Sequence, residues 1–223
     1  MVLAKKGDFV EVTFVGKEKE SGKVFDTNDP AEAKRLKLNT EEHHLHPLYA
    51  CIGKQDVISG LDEAFDGKEV GKKYNIDVSF DKAFGKKDAK LYHLVSASKF
   101  KEQKIDPYPG MQVTSNNMSG IIKTVSGGRV MVDFNHPLAS KDLSYEFTIK
   151  RVLHDDKEKL DATLHTFLGL HEVKSEITEG NATVEMELPE PLAKELEKKL
   201  QERIPTIKSV KFVKQKKEPK KQA

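Results

Sequence analysis

The chain has 223 residues, enough for two or three small domains. Its 38 lysines and arginines stand against 36 aspartates and glutamates, a formal charge of +2, so nothing in the balance points to nucleic acid as the main partner. A hydrophobic content of 37% with few aromatic residues suits several modest cores and excludes a wholly disordered chain.

At the N-terminus MVLAKKGDF passes directly into a strand pattern and leaves no room for the apolar core of a signal peptide. From Asp8 to Val15 the side chains of Val10, Val12 and Phe14 alternate with Glu11 and Thr13, the two-residue period of a half-buried strand. GKEKESGKVFD reads as a turn and a return strand. The polar stretch from Asn28 to Glu42 has no sustained period and reads as a loop with a short helical piece. Leu48 to Ile52 is a further strand, closed by Gly53. It carries the single cysteine, Cys51, which rules out an internal disulfide or a multi-thiolate metal site within one chain and fits a reducing compartment. No apolar run approaches the roughly 18 residues that span a bilayer. The expectation is a cytoplasmic protein with no membrane partner.

DVISGLDEAFDG sets Val57, Leu61 and Phe65 four residues apart, on one face of a short helix that Gly67 terminates. Tyr74, Ile76, Val78 and Phe80 alternate with polar residues in another strand, as do Leu143, Tyr145, Phe147 and Ile149 much later. These pieces predict an α+β arrangement, an antiparallel sheet wrapped around one short helix.

About sixty residues separate the last two strands, far more than usually joins neighbours. They have signals of their own: PYPG at 107–110 is a turn, Ile121 to Val125 is strand-like, SGG at 126–128 is a hairpin turn, and Val130, Val132 and Phe134 alternate. The segment 88–132 is therefore read as an inserted small β domain, flanked by 1–87 and 133–153 of the first domain. Beyond it, Leu160, Leu164, Phe167, Leu168 and His171 share a helical face. Glu172 to Thr178 and Ala182 to Leu188 form a hairpin across EGN, with Val184, Met186 and Leu188 pointing one way. Pro189 to Arg203 is an amphipathic helix carrying Leu192, Leu196 and Leu200, and Ile207 to Val213 is a last strand. This α-β-β-α-β unit, 154–214, is near the lower size limit for independent stability and is expected to pack on a partner. The basic tail, 215–223, is expected to be disordered.

Several strings, in this order, resemble FKBP-type peptidyl-prolyl cis/trans isomerases: VTFVG followed by GKVFDTN, with its pair Phe25 and Asp26; IGKQDVISGLDEA; VGKK; the KAFG turn; and VDFNHPLASKDLSYEFTI. The insertion between KAFG and FNHPLA, with the run Asn135 to Ala139, resembles the SlyD-like branch, whose insert-in-flap domain binds unfolded chains. The C-terminal unit resembles the long archaeal form, in which a comparable appendage mediates dimerisation. The resemblance implies an FKBP-like half-barrel around the short helix, isomerase activity and no cofactor. It also implies two kinds of partner: unfolded or partly folded proline-containing polypeptides, and a second copy held through the C-terminal domain. Nucleic acid is not expected.

Carried over residue by residue, the family's pocket would be lined by Phe14, Phe25, Asp26, Val57, Ile58, Leu61, Phe84 and Tyr145, with the backbone N–H of Ile58 binding a carbonyl beside the proline. The chain departs from the family's pattern at Phe14 and Phe84, where tyrosine is common, and at Leu61, where larger relatives often have tryptophan. In the insert, Met111, Met118 and Met131 offer adaptable apolar contacts to varied chains. His136 is read as fixing the insert's hinge by hydrogen bonding.

Two other readings use the same residues differently. A non-enzymatic holdase would keep the fold without useful turnover. A metal-delivery protein would use His43, His44 and His46, but no cysteine pair or histidine-rich tail reinforces that cluster, and it is read as a solvated loop.

Overall fold

The computed structural model describes residues 1–37, 45–115, 117–169 and 173–214. The first unit contains β1 (Phe9–Glu18), β2 (Val24–Thr27), α1 (Pro30–Arg35), β3 (Leu48–Cys51), α2 (Ser59–Phe65) and β4 (Lys73–Val78). The insert follows with β5 (Tyr92–Ser96), α3 (Ala97–Glu102), β6 (Gln112–Ser115), β7 (Met118–Ser126) and β8 (Arg129–Asp133). The chain then returns to the first unit in β9 (Leu143–Leu153) and ends in α4 (Asp156–Leu168), β10 (Ser175–Thr178), β11 (Asn181–Val184), α5 (Glu190–Arg203) and β12 (Ser209–Phe212).

β1 is the spine of a five-stranded antiparallel sheet. It pairs over its whole length with β9, while β3 covers the first half of its other edge and β2 the second. β4 extends the sheet beyond β9. The period-2 residues are buried as the pleat requires: Val10 and Val12 in β1, and Leu143, Tyr145, Phe147 and Ile149 in β9. They share one core with Leu61 and Phe65 of α2, and the Phe65 ring stands edge-on to Phe147 with centroids 5.0 Å apart. α2 lies this close because residue 60 is glycine; a Cβ there would come 2.5 Å from Val78 Cγ1.

Among the element boundaries that differ from expectation are those at Phe80 and Val57. Phe80 is in a 3-10 turn, Phe80–Lys82, and not in β4, because the ladder ends at the pair Val78–Leu143 and the Phe80 N–H donates instead to the Asp142 carboxylate at 3.0 Å. Val57 precedes α2 rather than sharing its face, since Ile58 is extended (φ −55°, ψ 143°) and is the N-cap.

The insert is a four-stranded antiparallel sheet in the order β5-β8-β7-β6, with α3 beside it. The β7–β8 hairpin turns through Gly127 and Gly128, both with positive φ. Among the described residues its buried core is Ile122, Val130 and Val132. β5, α3 and β6 carry too few buried side chains to show a period, and the sequence pattern does not reveal them.

In the C-terminal unit β12 runs parallel to β11, with α5 as the crossover, and β10 pairs antiparallel on the other side. Its core is shared with the first unit. Phe9, Cys51 and Leu153 pack in one cluster with Leu160, Leu164, Val184, Leu196 and Leu200. The surface that this small unit needs is thus supplied at least in part by its own chain. β11 ends at Val184, and Met186 and Leu188 pack on the cluster from outside the strand. Leu192, expected on the buried face of α5, is 41% exposed; burial on that helix begins at Leu196. His171 and the tail 215–223 lie outside the described residues. Among the described residues no helix is long and apolar enough to cross a membrane.

Candidate active site

The register of β1 places Gly16 opposite Tyr145 of β9 on one side and Asp26 of β2 on the other. A Cβ at Gly16 would lie 2.7 and 2.9 Å from ring atoms of Phe25 and 3.1 Å from the Tyr145 ring, so the missing side chain is the space into which the two rings fold. There Phe25 meets Tyr145 edge-on with centroids 5.8 Å apart, and Phe14 approaches Tyr145 at 6.1 Å. Phe14 is held at its backbone: its N–H donates to Asn28 Oδ1 at 2.7 Å and its carbonyl accepts from the Thr27 hydroxyl at 2.7 Å. Asn28 is itself buried and also donates to the Val12 carbonyl at 2.8 Å.

From the other side, Leu61 of α2 is buried and Val57 and Ile58 are half-buried against the same core. The loop ahead of them is gripped by the buried Asp62, whose two oxygens accept from the Gly53 N–H at 2.9 Å and the Gln55 N–H at 3.1 Å. Phe84 packs on this core too, and its ring lies flat on His136, centroids 4.1 Å apart and planes 7° from parallel. Phe14, Phe25, Val57, Ile58, Leu61, Phe84 and Tyr145 therefore converge on one apolar cluster, with the exposed Asp26 at its edge.

Burial pushes the Tyr145 hydroxyl up to about 12, with the Asp26 charge adding to it, so this hydroxyl keeps its proton at physiological pH. The cluster can surround an apolar group and offer a neutral O–H. Phe25 also lines a cleft of about 580 Å³ shared with Lys23, Val24, Asn135 and Leu138 and reaching Ile121 of the insert.

A family model described as FKBP-type peptidyl-prolyl cis-trans isomerase matches residues 2–100. The chain is 30% identical over 156 residues to the short-type peptidyl-prolyl cis-trans isomerase of Methanocaldococcus jannaschii, an alignment covering 70% of this chain and 98% of that one. The chain belongs to the FKBP-type peptidyl-prolyl cis-trans isomerases. A second family model, described as FKBP26, IF domain, matches residues 93–138. The chain is also 31% identical over 124 residues to the FKBP-type isomerase SlyD of Helicobacter pylori, covering 53% of this chain and 66% of that one. Against SlyD of Escherichia coli the identity is 30% over 119 residues, covering 51% and 60%. The expected fold class, isomerase activity and SlyD-like branch agree with these findings.

In this FKBP-type isomerase the two chain segments that join the insert to the first unit are cross-tied. Lys87 Nζ lies 2.9 Å from Asp133 Oδ2, while Asp133 Oδ1 accepts from the backbone and side-chain N–H groups of Asn135 at 3.0 and 2.8 Å. Asn135 also exchanges hydrogen bonds with the backbone of Asp88, accepting at 2.7 Å and donating at 3.1 Å. Burial alone would raise the Asp133 carboxyl, but the hydrogen bonds from Lys87 and Asn135 outweigh it and hold the group at about 2. His136 contributes differently from the hinge role read from sequence. Its Nδ1 accepts the Leu138 N–H at 3.2 Å, and its ring supports Phe84.

The insert methionines do not share one face. Met111 packs on the small core, Met118 is 38% exposed at the start of β7, and Met131 lies opposite Leu94, between the inward-facing Val130 and Val132. Of the histidine cluster, His43 and His44 lie outside the described residues. His46 is half-buried with its ring 5.7 Å from that of His165. Among the described residues no three metal-ligating side chains come together. Sequence reasoning missed Gly16, Thr27, Asn28 and Asp62; all four lie within the strings VTFVG, VFDTN and ISGLDEA, where only the neighbouring aromatic, acidic and aliphatic residues were given roles.

Proposed function

We propose that the apolar cluster of Phe14, Phe25, Val57, Ile58, Leu61, Phe84 and Tyr145, with Asp26 at its edge, forms the cleft where X-Pro bonds of unfolded or partly folded chains are turned. Rotation about such a bond faces a barrier of about 18–20 kcal/mol, because resonance holds the amide planar. Twisting it decouples the nitrogen lone pair from the carbonyl and reduces charge separation, so an apolar, water-poor cluster favours the twisted form over the flat one. No nucleophile is required; catalysis is differential binding of the twisted amide. A lowering of about 5 kcal/mol corresponds to nearly four decades in rate. The Ile58 N–H, just ahead of α2, orients a substrate carbonyl, and Asp26 and the protonated Tyr145 supply polarity at the rim. The observation that supports this reading is the convergence of two distant segments, 14–84 and 145, on a single apolar cluster.

In the same proposal the insert holds the client chain near the cleft, raising its local concentration. In support, Leu94 is 58% and Met118 38% exposed, and a groove of about 170 Å³ lies between Phe100, Val113 and Phe134. The C-terminal domain joins two copies; β10 and β12 are the outer strands of its described sheet, and Leu192 of α5 and Val213, just after β12, are exposed. A concentration-dependent mass measurement on full-length and truncated protein tests this, and a monomer at all concentrations would refute it. A cytoplasmic location fits the buried lone thiol of Cys51.

The deciding experiment compares turnover of a short proline peptide with refolding of a proline-limited protein. Asp26→Ala and Tyr145→Ala should slow both. Deletion of 88–132 should leave the peptide reaction and cripple the refolding reaction; equal loss on both substrates would defeat the division of labour.

A further inference from the structure

We propose that Arg203, in the C-terminal domain, is a positioning residue for the isomerase cleft, acting through Asp56 on the Val57–Ile58 segment; this rests on the placing of Val57 and Ile58 in the cleft. Arg203 ends α5, and its Nη2 lies 2.7 Å from Asp56 Oδ1. Both side chains are almost shielded from water, 8% and 6% exposed. The other Asp56 oxygen accepts the Cys51 N–H at 2.8 Å. One carboxylate thus ties the end of β3, the last turn of α5 and the residue immediately before Val57.

The segment from Gly53 to Ile58 contains no strand or helix, and Gly53 and Gln55 both have positive φ. Asp62 grips its first half from within the first domain. Its second half, which delivers Val57 and Ile58, is held through Asp56. The guanidinium is fixed in turn, with Cζ 4.7 Å over the Phe167 ring and Nη1 3.4 Å from the Lys199 carbonyl.

A buried ion pair is often no more stabilising than apolar side chains of the same volume, so stability alone is a poor reason for this one. What the rigid fork of an arginine supplies is direction. Without Arg203 the Asp56 carboxylate would remain buried with the Cys51 amide as its donor, and the loop would open to hydrate it. Val57 and Ile58 are the next residues to move, and small displacements at a site that works by fit lower the rate steeply.

The test uses the full chain and a short proline peptide, with activity normalised to the folded fraction from thermal melts. Arg203→Met should lower kcat/KM about 5-fold, mostly in kcat, and Arg203→Lys should recover part of the loss. The double variant Arg203→Met/Asp56→Asn leaves no unpaired buried charge. It should fold like the parent yet remain about 3-fold slower, because the tie is still gone. If either Arg203→Met or the double variant stays within about twofold of the parent, the proposal is overturned. Asp26→Ala separates the two layers of the argument. If it is slow while the Arg203 variants are not, the cleft stands and only the coupling falls; if it is as fast as the parent, the cleft is wrongly placed and the coupling falls with it.

Discussion

Replacing Gly16 by alanine should separate activity from stability. The added Cβ would sit 2.7 Å from the Phe25 ring, and ordinary contact begins at 3.4 Å, so the ring must retreat by about 0.7 Å (3.4 − 2.7) or swing away. Overpacking a closed core costs about 1–3 kcal/mol, but Phe25 is only half-buried and has room at the cleft, so the loss of stability should be near 1 kcal/mol. Activity has no such relief. A misplacement of about 1 Å in a site that works by fit can lower the rate on the order of 10²-fold, and 0.7 Å at one wall should lower kcat/KM about 10-fold, or 1.4 kcal/mol. Protease-free turnover of a proline peptide gives the first number and urea melts the second. Adding Phe25→Leu to Gly16→Ala should relieve the crowding and restore part of the stability. A Gly16→Ala enzyme with parental kcat/KM would refute the argument that this glycine makes room for the rings.

Three further outcomes are expected. Asp133 is held at about 2, against 3.8 for the free group; a depressed folded value gives stability that is present above about pH 4 and lost as the pH falls toward 2. Urea melts of parent and Asp133→Asn at pH 5, 3 and 2 should therefore converge on acidification, and parallel curves would count against the hinge clasp. Asn28→Ala leaves the Phe14 N–H and Val12 carbonyl without their partner and should cost about 1–3 kcal/mol in a denaturant melt. Burial pushes the Cys51 thiol up to about 11, with the Asp56 charge adding to it, so native protein at pH 8 should react with iodoacetamide about 10²-fold more slowly than protein unfolded in urea.

The sheet of the first unit was legible because each strand buries one face: Val10 and Val12, then Leu143 to Ile149, alternate in the sequence as they do in the core. The β7–β8 hairpin was legible from its glycine pair. β5 and β6 were not, since Val95 and Val113 are their only contributions to the small core and no period can be read from one residue. Phe80 broke the pattern for a different reason: the Asp142 carboxylate, sixty-two residues away, takes the N–H that a strand partner would have used.

By itself, then, the order of residues determined most strands and helices of the first and third units and the β7–β8 hairpin, the presence of an insertion and a third unit, and, through its ordered motifs, the family. It did so because periodicity and motif order are properties of neighbours along the chain. Only the folded structure decided that Gly16 is the gap for two aromatic rings, that Thr27 and Asn28 hold Phe14 by its backbone, and that the C-terminal unit shares its core with Phe9, Cys51 and Leu153 and sends Arg203 to Asp56. Each of these depends on atoms brought within contact distance from remote parts of the chain, and spacing along one segment carries no trace of what another will place beside it.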